Sequence, residues 1–210
     1  NNMRKALFVV DLQNDFCEGG AMGVNGANAI VPTINELMEK GDFDLILASG
    51  DYHPKDSLSF AKNQGLDDYA MGVMNSIPEM LWPVHCVNGT KGAEFHKDFN
   101  VGDVHILLSK GEDKNLHPFS AFRENDGSGI TEVADTLRTN LIDMVYVVGL
   151  ATDYCVKFTA LHAIDEGFKV VMVLDAMAGV TQEGSEAAVN EVSEKGGDVI
   201  LSKVILKYGV

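Results

Sequence analysis

Four side chains that could carry catalysis follow strand-like segments of the chain. Asp11 comes directly after the apolar run KALFVV, Asp51 two residues after DLILAS, and Lys110 directly after VHILLS. Cys155 follows the run that ends at Gly149, where a helical pattern begins. Ligands of open parallel α/β sheets bind at the carboxyl ends of the strands, so we expect these groups to meet at one edge of a sheet. Each alone is common as a surface charge or a buried thiol, but together they suit nucleophilic catalysis.

Cys155 is the candidate nucleophile of this set. Thr152 or Asp153 can cap the helix and place the thiol in its first turn, where the helix dipole favours a thiolate. A nearby Lys110 would lower the pKa of the thiol further. Asp11 could relay the thiol proton if it lies within hydrogen-bonding reach.

Asp51 and His53 begin a candidate metal site. They stand two residues apart in the extended segment DYHP, a spacing that places both side chains on the same side of the chain. His85 in WPVHC could be a third ligand, and an Asp/His/His set suits zinc, iron or manganese. The alternative is that His53 and His85 are loop residues with hydrogen-bonded rings. The remaining histidines have no partner pattern and are interpreted as structural or surface residues: His96, His105, His117 and His162.

Composition and charge exclude several classes of function. The 210-residue chain has 46% hydrophobic and 22% charged residues, typical of an ordinary globular protein. Its net charge of −15 repels nucleic-acid phosphates and anionic membrane surfaces. No apolar run approaches the ~20 residues of a membrane helix, and P-loop and GxGxxG motifs are absent. We therefore expect no nucleic-acid partner and no membrane partner.

The cysteines indicate the compartment. Cys17, Cys86 and Cys155 stand far apart, are odd in number and form no CxxC pair, which fits a reducing compartment better than a disulfide framework. Cys17 and Cys86 lack the context of Cys155, and we expect structural roles for them. No basic-then-apolar signal segment precedes the first strand, so we predict a cytoplasmic protein, in which Asn1 and Asn2 could be a cloning remnant.

Short β-branched runs alternate with amphipathic helical patterns along most of the chain, which is typical of a doubly wound α/β domain with a mainly parallel sheet. Near-continuous apolar runs predict strands that are buried on both faces: Lys5–Val10, Asp44–Ser49, Val104–Ser109, Met144–Gly149, Lys169–Leu174 and Asp198–Leu201. Helical spacing predicts four main helices: Ile30–Met38, Ile130–Arg138, Asp153–Glu166 and Gln182–Glu194.

Two long stretches, Tyr52–Asp103 and Gly111–Ser128, are punctuated by glycine and proline. Long loops in compact domains are usually functional, so both stretches are expected to contribute to a site. No internal repeat or linker divides the chain, and residues 1–210 are therefore expected to form one domain.

Nearly the whole chain is spanned, in order, by six short motifs: VVDLQNDFCEGG, GDYHP, WPVHCVNGTKGAEFH, LSKG, FSAF and GLATDYCV. They resemble the motifs of the nicotinamidases, a group of isochorismatase-like cysteine hydrolases. VDLQNDF and GLATDYCV are typical of the superfamily, whereas DYHP together with WPVHC is the more specific signal, because metal-free relatives lack it. The resemblance implies a Rossmann-like, three-layer fold.

The resemblance implies a role for each matching residue. The catalytic triad would be Asp11, Lys110 and Cys155. The metal ligands would be Asp51, His53 and His85, with zinc as the first choice of metal and iron or manganese as alternatives. The oxyanion hole would consist of the backbone N–H groups of Ala151 and Cys155, after a cis peptide bond between Leu150 and Ala151. The substrate ring would be surrounded by Phe16, Trp82, Phe119 and Leu150, with core packing as the alternative for the aromatic residues.

The chain departs from the family pattern at one coordination position. Many members carry a further histidine four residues after the histidine of DxHP, where this chain has Ser57. Water could fill that position, or an acid from the segment Ala61–Leu81 could reach it: Asp67, Asp68 or Glu79.

The activity that the resemblance implies is hydrolysis of nicotinamide to nicotinate and ammonia through a cysteine thioester, feeding NAD salvage, with pyrazinamide as a further substrate. The partner would be this small molecule, and the sequence leaves a homo-oligomer open. The alternatives are another isochorismatase-like hydrolase, acting on a different amide or a carbamoyl compound, and a non-catalytic binding protein on the same fold.

Overall fold

The computed structural model describes residues 3–124 and 131–210. Within these ranges the strands are β1 (Lys5–Val10), β2 (Leu45–Asp51), β3 (Met71–Met74), β4 (Ile77–Met80), β5 (Ile106–Lys110), β6 (Met144–Leu150), β7 (Lys169–Ala178) and β8 (Asp198–Ile200). The α-helices of the same ranges are α1 (Ala27–Lys40), α2 (Val133–Thr139), α3 (Lys157–Asp165), α4 (Gln182–Glu194) and α5 (Ser202–Tyr208). Three predicted features lie outside the described residues, namely the helix start at Ile130, the loop end at Ser128 and the pair Asn1 and Asn2.

The central sheet has six parallel strands in the order β5-β2-β1-β6-β7-β8. The chain winds outward from β1 through β2 to β5, then returns to β6 on the other side of β1 and winds outward again. The strand order therefore reverses between β1 and β6, which makes their carboxyl ends the expected place for a ligand. The predicted doubly wound α/β fold is confirmed.

Strand β1 shows why the sheet is covered on both faces. Successive side chains of a strand point to opposite faces, and all six residues of β1 are buried. Leu7 and Val9 pack in the cluster on one face, together with Ile34 of α1. Phe8 and Val10 belong to the cluster on the other face, which includes residues of α2, α3 and α4. Full burial of a large aliphatic or aromatic side chain stabilises the fold by about 1.5–3 kcal/mol, so neither face could be left exposed without a large loss.

The six predicted strands of the sheet are all present; β1 has the predicted bounds, and the others differ by a few residues at one or both ends. Strand β5 begins at Ile106 instead of Val104, because residues 101–103 form a 3-10 turn in which the N–H of Val104 bonds to Val101 O at 3.1 Å. Strand β7 continues past the predicted end at Leu174 to Ala178, since a register shift near Val147 and Gly149 lets the pairing with β6 resume.

A small antiparallel hairpin, β3–β4, lies in the stretch that the sequence analysis assigns to a long loop. Its two turn residues, Asn75 and Ser76, have positive φ values of 49° and 67°, as the favoured two-residue hairpin turns require. Met74 and Leu81 anchor the hairpin in a separate apolar cluster. No helix in the described ranges is long and apolar enough to cross a membrane.

Candidate active site

The parallel sheet brings the predicted acid, amine and thiol together. Asp11 follows β1 and Lys110 ends β5, and the Lys110 Nζ donates to Asp11 Oδ2 at 2.7 Å. The same nitrogen donates to Oδ1 of Asp51 and lies 3.7 Å from the Sγ of Cys155. All four residues are at most 7% exposed. The four groups therefore meet at one edge of the sheet, as expected.

Neighbouring strands hold the two carboxylates in place. Asp51 and Lys110 are register partners on β2 and β5, which sets their side chains side by side. Asp11 adopts a left-handed backbone conformation with φ 48°, and its N–H bonds to Ser49 O at 3.0 Å. The Ser49 hydroxyl donates to Asp11 Oδ1 at 2.8 Å. One oxygen of Asp11 thus bonds to serine and the other to lysine.

Burial decides the protonation of the thiol. Burial raises the pKa of Cys155 well above its ordinary value, although the Lys110 cation works in the opposite direction. Lys110 does lower the pKa of this thiol, as expected, but burial outweighs it, so the net shift is opposite to the predicted one. A single lysine already faces two carboxylates, so a thiolate would add a second uncompensated negative charge to a buried site.

Lys110, Asp11 and Asp51 influence one another's pKa values. Burial alone would lower the pKa of Lys110, but Asp11 and Asp51 outweigh it and raise the pKa, so the amine stays charged. Burial raises the pKa of Asp11 and outweighs the opposing effect of Lys110, whereas Asp51 is held well below its ordinary pKa because Lys110 and His53 outweigh its burial. Of the two carboxylates, Asp11 is the one with raised proton affinity, and it shares the Lys110 ammonium group with the Cys155 thiol.

Cys155 lies in a single π-helical turn, Thr152–Val156, that precedes α3. The Val156 N–H bonds to Ala151 O at 3.1 Å, which is the i→i+5 spacing of a π-turn. The predicted cap is wrong, because no side chain in the described part of the chain caps this turn. Asp153 instead accepts from the N–H of Val180 at 2.9 Å, which joins the turn to the end of β7. The Leu150–Ala151 peptide bond before the turn is cis, as the resemblance implies.

His53 and His85 turn the same ring nitrogen toward Asp51. The Nδ1 atoms bond to backbone carbonyl oxygens, of Gly111 at 3.0 Å for His53 and of Pro83 at 2.7 Å for His85. Because a carbonyl oxygen can only accept, Nδ1 is the donor in each ring, and Nε2 is the nitrogen that faces the site. The Nε2 atoms of His53 and His85 lie 3.5 and 4.0 Å from Asp51 Oδ2. His53 Nε2 is buried with no hydrogen-bond partner among the described residues.

His117, interpreted from the sequence as a structural or surface residue, is buried and lies in the same cluster. One ring nitrogen each of His53, His85 and His117 lies within 4.8 Å of the other two, and all three side chains are buried. The sequence gives no local signal for it, because His117 follows β5 in a loop and has no ligand at a fixed short spacing. Its place seven residues after Lys110, in the second long stretch, is the only hint. The other three histidines do not join any such cluster in the described ranges.

The donor set fits a divalent metal ion. A buried ring nitrogen with no partner, next to a carboxylate and two further imidazoles, is the arrangement that nitrogen- and oxygen-binding metals use. Burial, together with the neighbouring His53, lowers the pKa of His85 to about 4, so this ring is neutral and can act as a ligand at neutral pH. Of the three alternative acids, Asp67 and Asp68 are exposed and Glu79 is partly buried. The Ser57 hydroxyl is paired with Ser59 Oγ at 2.7 Å.

A pocket connects the thiol to the histidine cluster. The predicted substrate-contacting residues all line it, namely Phe16, Trp82, Phe119 and Leu150. So do Ala151, Cys155, Asp51, His85 and His117. Four residues that were not predicted from the sequence complete the wall, namely Met22, Val24, Tyr154 and Val180. The rings of Tyr154 and Trp82 meet edge-on, with centroids 5.5 Å apart. The position of Tyr154 directly before Cys155 in GLATDYCV is a sequence signal for this contribution to the pocket. An aromatic slot of this kind fits a flat ring.

Comparison with known proteins agrees with this fold. Residues 5–204 match the Isochorismatase domain family, and the chain belongs to that family. It is 38% identical to the nicotinamidase of Escherichia coli over 88% of this chain and 87% of the relative. A solved structure of a nicotinamidase and pyrazinamidase from Acinetobacter baumannii superposes with a TM-score of 0.91, at 38% identity over 98% of this chain and all of that one.

A second solved structure bears on the metal. The pyrazinamidase of Pyrococcus horikoshii, solved in complex with zinc, is 36% identical and superposes with a TM-score of 0.77 over 94% of this chain and 99% of that one. Together with the buried histidine cluster, this likeness supports a divalent metal in the site.

Proposed function

We propose that the protein is a nicotinamidase that hydrolyses nicotinamide to nicotinate and ammonia, feeding NAD salvage, and that it also accepts pyrazinamide. The observation that carries the proposal is the pairing of two sites in one pocket. Cys155, which belongs to the buried set with Asp11 and Lys110, lines the same aromatic slot as His85 and His117. Relatives named as nicotinamidases, at 38% identity, support this choice of amide.

In the first half of the reaction, the Cys155 sulfur attacks the carboxamide carbon while Asp11 accepts the thiol proton. The neutral thiol needs such a base, because its pKa is raised by burial. The N–H groups of Ala151 and Cys155 would hold the oxygen that becomes negative, and one such donor is typically worth ~10²–10³ in rate. Asp11 then returns the proton to the amide nitrogen, which leaves as ammonia, and a thioester remains.

In the second half, water attacks the thioester carbon, its proton passes to the sulfur through Asp11, and nicotinate leaves. Lys110 stays protonated throughout, since two carboxylates raise its pKa, and it balances the negative charge that moves between Asp11 and Cys155. A divalent metal held by Asp51, His53 and His85, with zinc as our choice, would supply a Lewis-acid site for the ring nitrogen or for a water. Phe16, Trp82 and Phe119 would bracket the ring.

Measurement of ammonia and nicotinate released from nicotinamide by the metal-loaded protein tests the proposal. We expect the two products in equal amounts over many turnovers. Ammonia from other amides but none from nicotinamide would indicate a different hydrolase of the family. No release from any amide or carbamoyl compound would favour a binding protein on this fold. A cytoplasmic location stays a prediction from the three cysteines, which are unpaired.

A further inference from the structure

We propose that His117 is a third histidine ligand of the divalent metal, beside His53 and His85. The inference rests on the proposed function only in that both require a metal in this pocket. It concerns a residue that carries no metal-binding motif and that lines the same pocket as Cys155.

The three imidazoles already form a tight group. Ring centroids lie 4.8 Å apart for His53 and His85, 5.7 Å for His53 and His117, and 6.4 Å for His85 and His117. Nitrogens that lie within 4.8 Å of one another need only small movements to share an ion with metal–nitrogen distances of about 2.0–2.1 Å. With no ion between them, three buried imidazoles would lose hydration and gain few hydrogen bonds in return.

The Ser57 side chain supplies no nitrogen ligand. The family pattern often has a histidine there, but in this chain the Ser57 hydroxyl is paired with the hydroxyl of Ser59 at 2.7 Å. Ser57 is fully buried and offers no imidazole. His117 approaches the cluster from a different loop, after β5, and could supply the nitrogen that position 57 lacks.

A hydrogen bond from Trp82 makes the proposal measurable. The indole N–H of Trp82 donates to His117 Nδ1 at 3.2 Å, so neutral His117 carries its proton on Nε2. If the metal binds Nδ1, it occupies the lone pair that accepts the hydrogen bond from Trp82. If the metal binds Nε2, the proton of that nitrogen moves to Nδ1, which becomes a donor and no longer accepts from the indole. In both cases metal binding breaks the bond between Trp82 and His117.

The first test counts imidazole ligands by X-ray absorption of the zinc-loaded protein, for the native chain, His117→Gln and the control His105→Gln. His105 is exposed and accepts from the N–H of Ile46 at 2.9 Å. We expect three imidazoles in the native protein and in the control, and two in His117→Gln. Loss of an outer-shell partner typically lowers metal affinity 10–100-fold, so loss of a ligand should lower zinc affinity ~100-fold or more in a chelator competition. Two imidazoles in the native protein, or native affinity in His117→Gln, would overturn the proposal.

The second test uses the fluorescence of Trp82, the single tryptophan of the chain. Zinc should change its emission and saturate at one equivalent, because the indole N–H loses its acceptor. Trp82→Phe removes the competing donor and should bind zinc at least as tightly as the native protein. Unchanged native emission at full zinc loading would contradict the proposal, even if His117→Gln does not fold. A three-imidazole site without ammonia release would refute only the proposed function, and ammonia release with two imidazoles would refute only the ligand.

Discussion

The ammonium nitrogen of Lys110 lies 3.7 Å from the sulfur of Cys155. The same nitrogen bonds to Asp11 and Asp51, and the second oxygen of Asp51 faces His53 Nε2 at 3.5 Å. The thiol and the histidine cluster are therefore joined through one buried cation. Because charges in a low-dielectric interior interact strongly, a change of charge at the cluster alters the proton affinity of the thiol, and the reverse also holds.

The first prediction concerns the nucleophile. Cys155→Ala should lower nicotinamide turnover by about 10⁴-fold or more, since loss of the nucleophile removes the covalent route. Cys17→Ala and Cys86→Ala are the matched controls and should keep measurable activity. Burial raises the pKa of Cys17 to about 11 and that of Cys86 well above its ordinary value. Ammonia release measures turnover, and circular dichroism checks the fold. An active Cys155→Ala protein would end the thioester mechanism.

The second prediction concerns pH. Asp11 must be a carboxylate to accept the thiol proton, and burial raises its pKa above the usual value of about 3.9. The value of kcat/KM should therefore be lost as pH falls, with a midpoint above pH ~3.9, and should be restored as pH rises. Asp11→Asn, which cannot take up a proton, should lose ~10²–10⁴ in rate and show no such limb.

Metal content must be measured at each pH of that profile, so that loss of the ion is not mistaken for titration of Asp11. If the native protein keeps full kcat/KM below pH 3.9 with its metal in place, Asp11 is not the base. Asp11→Asn with native turnover would lead to the same conclusion.

The six-stranded sheet and the group formed by Asp11, Lys110 and Cys155 could be predicted because their sequence patterns are local. Each strand of the sheet is a short apolar run, and Asp11 and Lys110 stand at strand ends where parallel topology brings them together. The hairpin β3–β4 escaped prediction because Met71, Val73 and Ile77 are exposed, so its strands carry no burial pattern. His117 and the raised pKa of Cys155 depend on contacts between distant segments, which residue spacing does not report.

The third prediction concerns the carbonyl that orients His53. A Cβ at Gly111 would lie 2.6 Å from His53 Cε1, and its φ of +82° disfavours other residues. Gly111→Ala should push the buried ring away from its carbonyl partner and lower zinc affinity at least ~10-fold. Crowding should cost about 1–3 kcal/mol of stability beyond the backbone strain.

Gly89→Ala is the control for this strain, because Gly89 has a nearly equal φ of +81° but a Cβ there would meet no atom within 4 Å. Both variants should lose about 1–2 kcal/mol from the left-handed backbone, and only Gly111→Ala should lose zinc. Chemical denaturation and chelator competition measure the two effects. Equal zinc affinities in the two variants would show that the ring position of His53 does not depend on the glycine.

The last prediction concerns what the metal recognises. Benzamide has the carboxamide and nearly the shape of nicotinamide but lacks the ring nitrogen, so it would leave the open metal position unmatched. A site built for a polar group can reject an analogue without it by up to ~10⁴–10⁵, although water can replace the missing ligand and we expect a smaller factor. The native protein should therefore show a much higher kcat/KM for nicotinamide, and His53→Ala should lose most of that preference together with the metal. His105→Ala, outside the pocket, should keep both. Similar kcat/KM values for the two amides with the metal-loaded native protein would refute recognition of the ring nitrogen and leave the ion a structural or water-activating part.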